Sequence, residues 1–558
     1  MYLKYIENVT SLLKEATGLD DVLLADGGDH ADIASTAAFA LAKTQKKNPV
    51  LIAKEIAEKI TAPAAEAGIE VSCKGPYINF VFGPKFVADS VKAARSPDYG
   101  TLPARAEKVI IEHTSANPNG PLHVGHIRNT VIGDTLVRAF RKAGYPVEAQ
   151  YYLNDMGRQI AIVAWGVKHL HYERQPGEKG DEFIVRHYVE ANRIAKEKPE
   201  IEAEFDEMME KIEAGDPETV ELFRTSVATC AEGIKETLAS MNVKHDRFVP
   251  ETTFLRNGSM QEVLSRIEKL PNACHDDQMM YLDLSEQGFG NKYVLRRSNG
   301  TSVYASRDLA FHLWKNGQCD RSIDILGADH KLIGAQLQTT LSLIGERPPE
   351  IVTFEFVSLP EGSMSTRGGV FISADELIAE TRKRAFDEVT ARRPELGEDD
   401  RRKIANAVAV GAVRYDIVKV SAEKSTVFDW NEALDFERQS APYVQYAHAR
   451  ACSILEKAKE EGGFKENYEY TDSYEIAVAK HLSRFPAVIE KVVTELRPHL
   501  LAVYVRDLAD LFNSFYRFDP VLKAEGNVRD ARLTLVDACR NTLFQALNVL
   551  GIEALESM

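Results

Sequence analysis

The chain has 558 residues, of which 44% are hydrophobic and 27% charged, and its formal net charge is −16. The length predicts several domains, because single hydrophobic cores stop growing at about 250–300 residues. No run of residues approaches the ~18 apolar positions that a membrane-spanning helix needs, which excludes a membrane protein. The acidic balance argues against a protein that simply coats nucleic acid, although it leaves room for a local basic surface.

Cysteine spacing and the first residues of the chain indicate the compartment. The six cysteines are scattered and none belongs to a CxxC pair, which argues against a zinc site and a disulfide framework. The opening segment MYLKYIENVTSLLKEATG carries Lys and Glu among its apolar positions, so it predicts a helix that stops at Gly18 and not a secretory signal. We therefore expect a cytoplasmic protein without a structural metal.

The predicted elements begin with an N-terminal block of about 100 residues that ends in PYINFVF at 76–82. From residue 108, VIIE predicts a short buried strand, 127–143 a helix and Val147–Leu153 the next strand, which together form a βαβ unit. SIDILG at 322–327 and EIVTFEFVSLP at 350–360 predict further strands of a parallel sheet. Between these strands a charged stretch predicts a helical insertion, and amphipathic runs after about residue 436 predict a helical bundle. A doubly wound α/β core, split by the insertion, is the simplest arrangement.

The segment SANPNGPLHVGH at 115–126 lies where the first strand of the βαβ unit gives way to its helix. His123 and His126 are three residues apart on the first helical turn, so both rings face the same side. Gly125 lets a flat or bulky group lie against the backbone. Together with the helix N-terminus, the two imidazoles suit a nucleotide whose α-phosphate is attacked, because they can stabilise the developing charge. A three-position match alone is weak, and its position between strand and helix is what favours a functional interpretation.

The same segment resembles the HIGH signature of class I aminoacyl-tRNA synthetases, in the form found in arginyl-tRNA synthetases. The resemblance covers nearly the whole chain. GGDHADIASTAAFALAKTQKKNP and GPYINF resemble the family's extra N-terminal domain, YYLNDMGRQI its second-strand motif, VYASRD its amino-acid site, and YVQYAHAR the start of its anticodon-binding domain. Four motifs in the right order are far more specific than any one of them.

This resemblance implies an α/β multidomain fold: a Rossmann-type doubly wound catalytic domain with a helical insertion, an α+β N-terminal domain and an all-α anticodon-binding bundle. The expected boundaries are 1–103 for the N-terminal domain that binds the tRNA D-loop and 104–374 for the catalytic domain, with its insertion at about 160–290. A helical connecting segment at 375–436 and the anticodon-binding domain at 437–558 follow.

The activity implied is that of a ligase, in which the carboxylate of L-arginine attacks the α-phosphate of ATP, with Mg²⁺, and the arginyl group then passes to the terminal adenosine of the arginine tRNA. The resemblance also implies that tRNA binds before arginine is activated, and we expect a monomer. One alternative is a catalytically weak paralogue that binds tRNA or arginine. Another is a different class I synthetase, such as one for cysteine, which the lack of clustered zinc ligands disfavours. A small nucleotidyltransferase would leave both terminal domains unexplained.

The residues that match the family's arginine contacts include acidic groups, as a planar, charged guanidinium requires. These residues are Glu112, Asn117, Tyr304, Asp308 and Gln336. The residues that match its ATP contacts are Gly125, His123, His126, Gly327, Asp329, His330, Met364 and Ser365. We expect His123, His126 and Arg367 to be the catalytic residues.

The chain departs from the family at its second signature, KMSKS, which arginyl enzymes often carry as KMSTR. Here the segment is GSMSTRGG at 362–369, so Ser363 replaces the first lysine, and NPNGPL before the histidine motif supplies no lysine either. A missing phosphate contact of this kind costs ~2–4 kcal/mol of transition-state stabilisation. Arg367 or Mg²⁺ is expected to carry the charge instead.

Two regions are expected to contact tRNA. In the N-terminal domain, Tyr77 and Asn79 suit stacking on, and hydrogen bonding to, an unpaired base. In the C-terminal bundle, Tyr443, Gln445 and Arg450 fall in the family motif, and roughly half of such residues are expected to pack the bundle instead.

Overall fold

The computed structural model describes all residues except 278, 291, 299, 300 and 361–371. The N-terminal region is an antiparallel sheet with strand order β1-β2-β4-β3, covered by helices. Its helices are α1 (Tyr2–Thr17), α2 (Ala37–Gln45), α3 (Pro49–Glu66) and α4 (Pro84–Ala94), and its strands are β1 (Leu24–Asp26), β2 (Ile33–Ser35), β3 (Ile69–Lys74) and β4 (Tyr77–Phe82). The first helix stops at Gly18, whose φ of 67° is readily adopted only by glycine, as the sequence predicts.

The central region carries a parallel sheet, an insertion and the helices between them. Its elements are β5 (Val109–Glu112), α5 (Val124–Lys142), β6 (Val147–Leu153), α6 (Arg158–Leu170), α7 (Gly180–Glu197), α8 (Ile201–Ala214), α9 (Pro217–Ser240), β7 (Arg247–Pro250), α10 (Thr252–Arg256), α11 (Ser259–Ile267), β8 (Ala273–Asp276), β9 (Met279–Leu282), β10 (Tyr293–Arg296), α12 (Tyr304–Asn316), β11 (Arg321–Gly327), α13 (Lys331–Leu343), β12 (Glu350–Phe354) and β13 (Val357–Ser358). Short 3₁₀ turns lie at Gly28–His30, Ser285–Gln287 and Ala328–His330.

The parallel sheet has the strand order β12-β11-β5-β6-β7, so the chain starts in the middle and winds outward in both directions. The order reverses between β5 and β11, where Glu112 lies in register with Asp324 on the neighbouring strand. In such a sheet, ligands bind in the crevice outside the carboxyl ends of the strands at this reversal. The expected doubly wound core is therefore confirmed.

Two expectations about the central region need correction. The insertion is not wholly helical, because β8, β9 and β10 form an antiparallel sheet; Met280 and Leu282 are buried there while Met279 and Tyr281 are half-buried, which is the period-two pattern of a strand. The stretch 350–360 is not one strand either. It breaks after Phe354, and β13 leaves the main sheet to pair with β14 (Thr426–Val427).

The remainder of the chain is helical. Its helices are α14 (Ala374–Arg392), α15 (Glu398–Val418), α16 (Trp430–Ala433), α17 (Ala441–Glu460), α18 (Ser473–Ser483), α19 (Phe485–Glu495), α20 (His499–Phe518) and α21 (Gly526–Val549). On α20, Leu501, Val505, Leu508, Phe512 and Phe515 are fully buried, at the helical spacing that the amphipathic sequence predicts. Among the described helices, none is long and apolar enough to cross a membrane.

One buried arginine joins several of these regions. Arg414, on α15, donates to the carboxylate of Asp134 on α5 at 2.5 Å, to the carbonyl oxygen of Leu550 at 2.8 Å and to that of Met241 at 3.0 Å. Its side chain is fully buried. The helix of the histidine motif, the end of α9 and the end of α21 are thereby fixed to one guanidinium.

Candidate active site

A cleft of about 630 Å³ opens at the carboxyl ends of β5, β6 and β11. Most of the residues predicted to contact arginine and ATP line it together: Glu112, Asn117, His123, Gly125, His126, Tyr304, Asp308, Gly327, Asp329 and His330. Gln336, the remaining residue of the predicted arginine site, is buried in α13 and is not part of this lining. Met364, Ser365 and Arg367 lie outside the described residues.

The two histidines of the motif form a reciprocal cap at the start of α5. The Nδ1 atom of His123 accepts the backbone N–H of Gly125 at 3.1 Å, and the Nδ1 atom of His126 accepts the backbone N–H of His123 at 3.2 Å. Each ring therefore carries its proton on Nε2. The rings stack with centroids 3.7 Å apart. Burial lowers the pKa of His123, and burial together with His123 lowers the pKa of His126 to about 3, so both rings are neutral at physiological pH.

A buried cation organises the acidic end of the cleft. Lys315, on α12, is fully buried and donates to Glu112 Oε2 at 2.9 Å and to Asp324 Oδ1 at 2.6 Å. Glu112, His312 and Asp324 lie close enough together to hold a metal ion, but the ammonium of Lys315 already bridges the two carboxylates. Burial would raise the pKa of Asp324, and Lys315 and His312 instead lower it well below its usual range. Burial raises the pKa of Glu112, which Lys315 counteracts.

Tyr304 begins α12 and is 49% exposed, with Asp308 one turn further along the same helix. The guanidinium of Arg307 lies 4.9 Å from the centroid of the Tyr304 ring. Arg307 in turn donates to Glu251 Oε1 at 2.6 Å, and both partners are buried. Burial raises the pKa of Glu251 to about 7, although Arg307 opposes this shift. A buried ion pair thus supports the aromatic side of the cleft.

The residues of the cleft that are predicted to contact ATP at the end of β11 are Gly327, Asp329 and His330. Phe354 and Phe356 provide an apolar wall there. Among its described residues, the lining of the cleft contains no Lys or Arg. No described side chain of the lining therefore offers a permanent positive charge to the phosphates of a nucleotide.

The segment that follows 361–371 is fixed to the histidine motif. Ser373 forms an isolated antiparallel bridge with His123, and the backbone N–H of Ala374 donates to the carbonyl oxygen of Leu122 at 2.7 Å. Asp375 accepts from the ammonium of Lys179, on the insertion, at 2.6 Å. Ser373, which follows the KMSTR-like segment in the sequence, thus lies beside His123.

A second cleft, of about 940 Å³, lies between the connecting helices and the C-terminal bundle. Arginines and tyrosines dominate its lining: Arg392, Arg393, Arg450, Arg517, Tyr443, Tyr446 and Tyr516, with Met558 beside them. The guanidinium of Arg450 lies 4.7 Å from the ring centroid of Tyr446 and 5.4 Å from that of Tyr516. Cationic and aromatic groups in one groove suit unpaired nucleotides.

Two residues predicted to contact tRNA lie inside the protein. Gln445 is fully buried and donates to the carbonyl oxygen of Glu553 at 2.9 Å, so it holds the segment after α21. Asn79 is 6% exposed in the middle of the N-terminal sheet. Tyr77, by contrast, is 46% exposed and meets Phe39 edge-on with ring centroids 5.5 Å apart. Gln445 thus belongs to the half of the C-terminal motif residues that pack the bundle, and Tyr77 is the more exposed of the two residues predicted in the N-terminal domain.

The sequence analysis does not identify the inner charged residues at the acidic end of the cleft. A signal for them exists: Asp324 is a charged residue inside the apolar strand SIDILG, which requires a buried partner. His312 and Lys315 follow Asp308 by four and seven residues, so all three share one face of α12. Because charged residues on an amphipathic helix usually face solvent, their spacing alone did not indicate a buried cluster.

Comparison with known proteins places the chain in a family. Three family models match it: "Arginyl tRNA synthetase N terminal domain" at 4–82, "tRNA synthetases class I (R), catalytic domain" at 94–430 and "DALR anticodon binding domain" at 444–558. An arginine–tRNA ligase of Methanocorpusculum labreanum is 81% identical over the whole of both chains, and one of Methanoregula boonei is 61% identical over 98% of both. The chain belongs to the arginyl-tRNA synthetase family.

The solved structure of the arginyl-tRNA synthetase of Thermus thermophilus superposes on this chain with a TM-score of 0.88, at 30% identity over 99% of both chains. The predicted fold class and the predicted enzyme class, an arginine–tRNA ligase, are thus confirmed. The comparisons give no support to the alternative of a catalytically weak paralogue.

Proposed function

We propose that the cleft at the carboxyl ends of β5 and β11 carries out both steps of arginine–tRNA ligation. The observation that carries this proposal is that the histidine pair and the acidic pocket open into the same space. Glu112 and Asp308 would bind the guanidinium of L-arginine, and Tyr304 would pack along its side chain. Asn117, whose amide donates to Gln159 at 2.8 Å, would hold the α-amino or carboxylate end.

In the first step, a carboxylate oxygen of arginine would attack the α-phosphorus of ATP while the bond to the β-phosphate breaks and pyrophosphate leaves. No general base is required, because the carboxylate is already ionised at neutral pH. The Nε2–H groups of His123 and His126 would donate to the oxygens on which negative charge develops. In the second step, a hydroxyl of the terminal adenosine of tRNA would attack the arginyl carbonyl, and AMP would leave.

On the phosphate side, we assign the role of the missing lysine to Arg367. Two observations support this: the described lining offers no other Lys or Arg, and Ser373, six residues after Arg367, bridges to His123. Gly125, Gly327, Asp329 and His330, with Met364 and Ser365, would contact the rest of ATP. The described carboxylates of the arginine pocket do not form a metal site, since Lys315 joins Glu112 to Asp324. Mg²⁺ would therefore enter bound to the phosphates, as it does in many nucleotide sites.

For tRNA, we propose that the arginine- and tyrosine-lined cleft receives the anticodon loop and that Tyr77 stacks on a base of the D-loop. Tyr443 and Arg450 would make direct contacts, while Gln445 would act by holding the segment that ends at Met558. We further propose a cytoplasmic monomer that binds tRNA before it activates arginine.

Exchange of pyrophosphate into ATP, measured with arginine in the presence and absence of arginine tRNA, tests the proposal. We expect exchange that requires arginine and appears only with tRNA. Exchange without tRNA would show that arginine activation does not require bound tRNA, and it would still support the ligase activity. Exchange supported equally well by another amino acid would show that the acidic pocket does not select arginine.

A further inference from the structure

His312 lies at the bottom of the arginine pocket, and both of its ring nitrogens face hydrogen-bond acceptors. Nε2 lies 2.7 Å from Asp324 Oδ2. Nδ1 lies 2.8 Å from the backbone carbonyl oxygen of Asp308 and 3.2 Å from Asp308 Oδ1. A neutral imidazole carries a hydrogen on only one nitrogen, so one of these contacts would set a lone pair against an oxygen. The geometry therefore requires a hydrogen on each nitrogen, which makes the ring an imidazolium.

The electrostatic surroundings agree with this protonation state. Burial and the nearby ammonium of Lys315 would lower the pKa of His312, but Asp324 and Asp308 outweigh them and raise it to about 10. Glu112 is the other charged group near the ring, across the pocket on β5. His312 itself is 2% exposed, so solvent provides little screening.

The cluster around His312 then contains three carboxylates and two cations, and the neighbouring pair of Glu251 and Arg307 adds no net charge when Glu251 is ionised. Both oxygens of Glu112 accept, one from Lys315 and the other from the hydroxyl of Ser115 at 3.1 Å, as expected of an ionised carboxylate. Asp324 lies between Lys315 and His312, and its two oxygens are used by them. The side chain of Asp308 is 31% exposed and reaches the cleft. One negative charge is left without an internal partner.

We propose that His312 is a positioning residue of the arginine site: as an imidazolium it fixes Asp308 and Asp324 and sets the net charge of the pocket at −1, which one guanidinium neutralises. This inference rests on the proposed arginine site. A buried cluster with a net charge of −1 favours a ligand with one permanent positive charge. The cluster then needs no additional proton when this ligand binds. With a neutral residue at 312 the net charge would be −2, and one carboxylate would take up a proton near neutral pH to replace the lost charge.

His312→Gln tests the inference, because glutamine retains hydrogen-bonding capacity but not the charge. Glu251, which lines the same cleft, has a pKa of about 7 and titrates in both proteins, so the KM for arginine of the variant is divided by that of wild type at each pH between 6 and 8.5 in aminoacylation. This ratio should rise by about tenfold as the pH falls from 8.5 to 6, since only the variant then protonates a carboxylate that would otherwise face the guanidinium. The KM for ATP should not follow this trend. A pH profile identical to that of wild type would overturn the proposal.

Two further variants separate the possible outcomes. His187→Gln removes a buried histidine of α7 that does not line the cleft, and it should leave the KM for arginine unchanged at every pH. The Nδ1 atom of His187 lies 2.9 Å from the carbonyl oxygen of Phe183, and its ring packs against Tyr172 and Phe183. Asp308→Asn should raise that KM at all pH values. An unchanged KM in Asp308→Asn would refute the arginine site itself. A raised KM there, together with a wild-type pH profile in His312→Gln, would refute only the role of His312.

Nuclear magnetic resonance of the wild-type protein tests the charge directly and does not depend on the folding of a variant. The chain has 14 histidines, and an exposed histidine is neutral at pH 8.5. In protein labelled with ¹⁵N-histidine, we expect one ring at pH 8.5 with both nitrogens protonated, and no loss of this signal when arginine binds. Neutral rings throughout would refute the imidazolium.

Discussion

Ser373 forms an antiparallel bridge with His123, so the chain beyond the second synthetase signature starts beside the first signature. Ser373 is the N-cap of α14 and His123 is the N-cap of α5, so this bridge joins the N-termini of the two helices.

The first prediction concerns Arg367. Replacing it with glutamine should lower the rate of pyrophosphate exchange by about 10²–10³-fold, because the described lining of the cleft offers no other permanent cation. The KM for arginine should stay within a factor of two. Thr366→Ser, at the adjacent residue, serves as the control and should keep wild-type exchange. A small change in the exchange rate of Arg367→Gln would mean that another cation, for instance Mg²⁺, neutralises the phosphate charge.

Ser363→Lys restores the first lysine of the signature. We expect faster exchange at saturating substrates, since a second cation would stabilise the leaving pyrophosphate. Ser363→Gln, which is long and polar but uncharged, separates charge from size. No gain with lysine would indicate that Arg367 alone meets the electrostatic requirement.

The stacked histidines lead to a prediction about acid stability. The pKa of His126 is about 3 in the folded protein, against about 6.5 for an ordinary histidine, so between these values the unfolded chain binds a proton that the folded chain does not. The contribution of His126 to stability is therefore present above pH 6.5 and is lost as the pH falls, by up to about 1.4 kcal/mol per pH unit. Thermal unfolding at pH 7 and pH 5.5 should show a smaller loss of Tm for His126→Asn than for wild type. An equal loss of Tm in the two proteins would show that groups other than His126 cause the acid sensitivity.

The same substitution should also impair catalysis, because the Nε2–H of His126 is proposed to act on the transition state. We expect His126→Asn to lower kcat for pyrophosphate exchange by about 10²-fold with little change in the KM for ATP. His275→Asn is the control, since His275 is exposed on β8 and does not line the cleft. A large rise in the KM for ATP with kcat preserved would assign His126 to ground-state binding.

Arg450 allows a test of the RNA cleft. Arg450→Ala should weaken binding of arginine tRNA by about tenfold and reduce the salt dependence of binding by roughly one ion, as measured by filter binding. Lys457→Ala changes an exposed cation on the same helix outside the cleft and should have little effect. An equal loss of tRNA affinity in the two variants would indicate that the overall positive charge of this surface, and not a specific groove, binds the tRNA.

Much of this molecule follows from local sequence patterns, but some of it depends on contacts that no local pattern reveals. The βαβ unit was predictable because VIIE, the helix after it and VEAQYYL each follow the period of one element. The histidine pair was predictable because it lies at a strand–helix junction. The insertion strands β8–β10 were missed because they are short and lie within a helical region. The burial of Asn79 and Gln445 could not be predicted, since polarity alone does not distinguish an RNA contact from a buried hydrogen bond.

Arg414 has a consequence for how the protein is made. Its guanidinium is buried against the carbonyl oxygen of Leu550, which is synthesised 136 residues later. Before Leu550 is synthesised, a nascent chain that packed α15 against α5 would bury the Arg414 guanidinium without this hydrogen-bond acceptor. Burying a cation with a missing partner is strongly unfavourable. The catalytic core should thus complete its folding only after α21 has emerged. Pulsed proteolysis of stalled nascent chains would show protection of the core appearing at that length and not when the last strand of the parallel sheet emerges.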